Sequence, residues 1–79
     1  MMQALDWLTV PLSYPFMQRA LVVSPRDGDV MHNFGWFLCQ QRRFDEADAL
    51  FARALALPQY RSFSRTMLAQ GACQARSGQ

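Results

Sequence analysis

The sequence predicts an all-α fold: helical hairpins stacked as repeats, one full repeat flanked by two half-repeats. Three observations carry this. Phe16-Met17-Gln18-Arg19-Ala20-Leu21 is echoed by Leu50-Phe51-Ala52-Arg53-Ala54-Leu55, so that Ala20 and Ala54 stand 34 residues apart. Gly35 is echoed by Gly71, 36 residues on. Between them, apolar residues recur at helical spacing in stretches punctuated by Pro, Gly and Ser. A period near 34 is that of paired helices that stack on copies of themselves.

Composition narrows the function classes. The 79 residues make one small domain with a thin core. A hydrophobic fraction of 51% argues against disorder. The net charge of +2 is too small to point to nucleic acid. All eight basic residues are Arg, the better residue for bidentate carboxylate contacts. The opening MMQALDWLTVPLSY has neither the basic start nor the apolar core of a signal peptide. No run reaches the roughly 18 apolar residues of a membrane span.

Each element follows from local chemistry. Residues 1–14 are poorly defined: a short helix around Leu5 and Leu8 is plausible over 1–10, and Pro11 and Pro15 interrupt it. The helical domain spans 15–79. Its first helix opens at Pro15, a favoured first-turn residue, and runs to about Val23. Ser24 to Asp29 is a turn by composition. The full repeat occupies about 28–58. Its first helix covers about Asp29 to Gln41, with acid at the positive end of the helix dipole. Wound at 100° per residue, Val30, Met31, Phe34, Phe37 and Leu38 share one face, flanked by Gly35, which permits close approach. Asp29, His32, Trp36, Cys39, Gln40 and Arg43 fall opposite. Asp45 is the expected N-cap of the next helix, with Phe44 as hydrophobic staple. Ala47, Leu50, Phe51, Ala54 and Leu57 share its buried face, and Pro58 stops it. Ser62 or Ser64 caps a last helix reaching about Arg76, with Met67, Gly71 and Ala75 along one side.

The spacing Met31-x2-Phe34-Gly35-x2-Leu38, then Ala47-x3-Phe51, then Pro58 resembles the tetratricopeptide pattern. Met31, Phe34 and Leu38 stand at its large-residue positions. Downstream, Gln70 and Gln74 replace the apolar residues seen at Phe34 and Leu38. More narrowly, Asn33-Phe34-Gly35-Trp36-Phe37-Leu38-Cys39, Arg43-Phe44-Asp45-Glu46-Ala47, and Ala54-Leu55-Ala56-x-Pro58-x-Tyr60 resemble one repeat of the type IV pilus biogenesis/stability proteins, the PilW/PilF pilotin family. Gln70-Gly71-Ala72-Cys73 is similar to the start of that family's next repeat. The resemblance implies a bacterial scaffold at the periplasmic face of the outer membrane that assists assembly of the pilus secretin. A secretin subunit is then the implied partner. The sequence as read shows neither that family's lipoprotein start nor its number of repeats, so membrane attachment is not expected from these residues. The alternative is a generic tetratricopeptide adaptor, or a self-associating structural piece unrelated to pili.

Candidate site residues lie on the polar side of the second helix. His32, Trp36, Gln40 and Arg43 would line a groove for a protein or peptide segment, since aromatic residues and Arg dominate interface energetics. Alternatively, Trp36 packs against the preceding half-repeat or the N-terminal segment. His32 is expected to be a solvated groove residue. A groove gripping carboxylates through Lys and Asn is disfavoured, because Trp36 stands there instead. Arg42 and Arg43 complement the helix dipole. His32 and Cys39 are about 10 Å apart along the helix, too far to share a proton or a metal. No enzyme, no cofactor and no metal site is therefore expected. Cys39 and Cys73 are expected as free, mostly buried thiols, facing different sides. The open repeat ends, through Met67 and Leu68, are candidates for homo-oligomer contacts.

Overall fold

Helix follows helix along residues 14–78, the part of the chain described by the computed structural model. α1 covers residues 14–23, α2 Gly28–Gln40, α3 Phe44–Leu55 and α4 Phe63–Ser77. Among the described residues there is no strand. The short helix expected around Leu5 and Leu8 lies outside the described residues.

Local chemistry sets each boundary. Asp27 caps α2: its carboxylate accepts from the backbone N–H of Asp29 at 2.9 Å and of Val30 at 3.2 Å. The helix therefore starts a residue earlier than expected. At its other end Arg42 takes a φ of 63°, the left-handed conformation that terminates many helices. The Arg42 N–H then reaches the Cys39 carbonyl at 3.0 Å and the Arg43 N–H the Leu38 carbonyl at 2.9 Å. Arg42 and Arg43 thus close the hairpin link rather than decorate the last turn of α2. Arg43, not Asp45, is the N-cap of α3, and no side-chain bond caps it. Asp45 and Glu46 sit inside the first turn, where negative charge favours the helix N-terminus. Ser62 precedes α4 as expected, but its hydroxyl makes no capping bond.

The α2–α3 hairpin holds the core. Met31, Phe34 and Leu38 of α2 pack with Ala47, Leu50, Phe51 and Ala54 of α3. Gly35 is what lets the pair close: a Cβ there would lie 2.9 Å from the Phe51 ring. α1 adds Tyr14, Met17 and Leu21 to one side of this core. The Tyr14 ring meets Phe34 edge-on, with centroids 5.5 Å apart, and its hydroxyl donates to Glu46 at 3.2 Å. α4 covers the other side, chiefly against α3. Gln70 and Gln74 both donate to the Asp48 carboxylate, at 3.2 and 2.8 Å. These two glutamines, which look like defects in the apolar pattern, tie α4 to α3.

The cysteines are not free thiols. Cys39 and Cys73 form a disulfide, with Cα atoms 5.9 Å apart. The expectation failed because α2 has two buried faces. One carries Met31, Phe34 and Leu38; the other, carrying His32 and Cys39, turns toward α4. Partners across α2 and α4 are 34 residues apart, as with Cys39–Cys73 and His32–Thr66. A 36-residue offset, that of Gly35 and Gly71, would set Cys73 against Phe37 instead.

Candidate cleft between the second and fourth helices

Trp36 remains 38% exposed despite its size. It leans over a cleft of about 470 Å³ with Asn33 of α2 and Arg65, Leu68, Ala69 and Ala72 of α4. Ala69 and Ala72 keep the depression open between two large side chains, Trp36 and Leu68. Trp36 thus lines a cleft shared with α4.

Below the cleft runs a hydrogen-bonded chain. Arg65 Nε–H donates to His32 Nε2 at 3.4 Å. His32 Nδ1 lies 2.8 Å from Thr66 Oγ1. Thr66 Oγ1 lies 2.8 Å from the Tyr60 hydroxyl, which donates to the Gly28 carbonyl at 3.2 Å. These bonds fit one direction: with Nε2 accepting, Nδ1–H donates to Thr66, and the Thr66 hydroxyl donates to Tyr60. A neutral imidazole is required. Its surroundings favour that form. Burial lowers the His32 pKa most, the Arg65 charge lowers it further, and Asp29 opposes them.

His32 does not stand in solvent, contrary to what the helix wheel alone suggests. It is 8% exposed, a buried strut under the cleft wall rather than a solvated groove residue. Gln40 is exposed and lies outside the cleft lining. Arg43 belongs to a different cluster: its guanidinium stacks 4.6 Å from the Tyr14 ring centroid and its Nε donates to Glu46 at 2.7 Å. Of the four expected groove residues, the structure brings together His32 and Trp36. It recruits Arg65 and Leu68 from α4, which the wheel of a single helix does not reveal. Both His32 nitrogens are engaged and Cys39 is oxidised, so this pair holds no thiolate and base. Among the described residues no cluster of three His, Cys, Asp or Glu side chains is placed to hold a metal ion.

The described residues thus form an all-helical hairpin unit with a cleft walled by Trp36. No known protein family's model matches the sequence, and no solved structure matches it. It is similar to an uncharacterized protein of Haemophilus influenzae, at 44% identity over 41 residues. That stretch is 52% of this chain and 23% of the relative, so the match spans about a quarter of the relative's length.

Proposed function

We propose that the chain is a non-enzymatic protein-interaction scaffold of the tetratricopeptide type, one full repeat between two half-repeats, and that it serves type IV pilus biogenesis. The observation that carries the reading is the in-register pairing of α2 and α4. Partners 34 residues apart leave Trp36 exposed between them. Stacked helical repeats of this period present such first helices to a ligand. The disulfide suits an oxidising compartment such as the bacterial periplasm, which agrees with a place beside the outer membrane. A secretin subunit is the partner this reading names.

The test is direct binding. The purified, oxidised chain is passed over an immobilised secretin subunit from the same genome, beside a Trp36→Ala variant whose helicity is verified by circular dichroism. Saturable binding that the substitution abolishes supports the reading. No binding, or binding indifferent to Trp36, removes the pilus assignment.

Exposure of Phe63, Met67 and Leu68 on α4 favours a second reading, a self-associating structural piece. Light scattering separates the two: a concentration-dependent dimer lost in Met67→Glu supports self-association, and a monomer rejects it.

A further inference from the structure

We propose that the α2–α4 cleft takes an internal peptide segment bearing a large apolar side chain with a side-chain carboxylate close beside it. This rests on the reading of the chain as a peptide-binding scaffold and names the chemistry of its ligand.

The apolar requirement comes from the walls. Trp36 is 38% and Leu68 is 76% exposed, on two helices that line one cleft together with the small Ala69 and Ala72. Exposed apolar surface gathered in one concavity is a recognition feature. A single large side chain set between Trp36 and Leu68 would cover both.

The carboxylate requirement comes from Arg65. Its Nε–H donates to His32, and no described residue accepts from its two terminal amino groups. No carboxylate among the described residues pairs with it; the ion pair there is Arg43 with Glu46. Asp29, one turn before His32, acts on the imidazole. Below Arg65 the neutral imidazole accepts the Nε–H and brings no negative charge of its own. A guanidinium held by one nitrogen and open at two presents the fork that binds carboxylates in bidentate fashion. Being anchored beforehand, it loses less side-chain freedom when a ligand arrives. A cationic segment would meet repulsion at the same place. The cation of this cleft comes from α4, beside the Trp36 of α2.

The test is a selection of random heptapeptides displayed through their C-termini, so that only internal carboxylates are offered. The target is the full oxidised chain. The expected enrichment is for Leu, Phe, Met or Trp with Asp or Glu within two positions. A synthetic peptide of the enriched sequence, blocked at both ends, should bind about tenfold more weakly to Arg65→Gln. Arg65→Glu should shift the selection toward Lys and Arg. Trp36-dependent peptides without acid preference, or affinities indifferent to Arg65→Gln, overturn the proposal while leaving the scaffold reading intact. The same holds if only peptides with a free C-terminus bind. If no enrichment depends on Trp36 in a chain of unchanged helicity, the scaffold reading fails and the proposal fails with it.

Discussion

Thr66 Oγ1 meets His32 Nδ1 at 2.8 Å across 34 residues of sequence. Thr66 has no exposed surface, and its hydroxyl passes the hydrogen-bonded chain on to Tyr60. Thr66→Val keeps the shape but strands the imidazole N–H and the Tyr60 oxygen. The expected loss is about 1–3 kcal/mol. Tyr60→Phe removes one end of the chain and should cost about 1 kcal/mol. Urea titrations of both variants and their combination should give non-additive losses. Simple additivity would mean the groups act separately.

His32 makes stability depend on pH. Burial, then the Arg65 charge, holds its pKa below the ordinary histidine value, with Asp29 opposing. On acidification the unfolded chain therefore takes up this proton before the folded chain does. The stabilisation is complete above the unfolded value of about 6.5 and declines as pH falls through it, levelling below the depressed folded value. The melting temperature should be lower at about pH 5 than at about pH 7.5, and His32→Gln should flatten that difference. An unchanged slope in the variant would assign the dependence to carboxylates instead.

The disulfide closes a loop across a sequence separation of 34. In the chain-entropy account such a closure is worth on the order of 3–4 kcal/mol. For a domain with so thin a core this is a large share of the total. Reduction, or Cys39→Ser with Cys73→Ser, should lower the melting temperature by more than about 10 °C. Intact mass should show the oxidised chain lighter by two hydrogens. A melt indifferent to reductant would show that the α4 contacts suffice without the bridge.

Two glycines separate close packing from backbone propensity. At Gly35 an added methyl would sit 2.9 Å from the Phe51 ring, and Phe51 is fully buried and has no room to swing. Overpacking costs about 1–3 kcal/mol, against a gain of about 1 kcal/mol from helix propensity. Gly35→Ala should therefore be neutral to destabilising. Gly71→Ala meets nothing within 4 Å and should stabilise by up to about 1 kcal/mol. Thermal melts of the two variants should move apart; a Gly35→Ala chain as stabilised as Gly71→Ala would show that the hairpin is looser than this contact implies.

Helix positions and the α2–α3 core were readable because single-helix periodicity and turn chemistry are local. Gly35, Phe51, Ala47 and Ala54 all sit where spacing puts them. What escaped is what depends on a third element. A wheel of α2 gives His32, Trp36 and Cys39 one polar side, yet α4 buries His32 and Cys39 and leaves Trp36 half open. Arg65 entered the cleft from α4 without any sequence motif. A different loss occurred at Arg42, where a left-handed φ arose at a residue whose side chain gives no hint of it. The 34-residue offset itself was visible; applied to His32 it lands on Thr66, and applied to Cys39 on Cys73.

That offset has a mechanical consequence. Thr66 and Cys73 are seven residues apart on α4, as His32 and Cys39 are on α2. The two helices are therefore riveted at two points about 10 Å apart, one by a hydrogen bond and one by a covalent bond. A single rivet would leave them free to scissor; two fix both the angle and the sliding register. Trp36 lies on the span between the rivets. The aperture over which it leans is thus of set width, a gap fixed by the fold and not left to open and close.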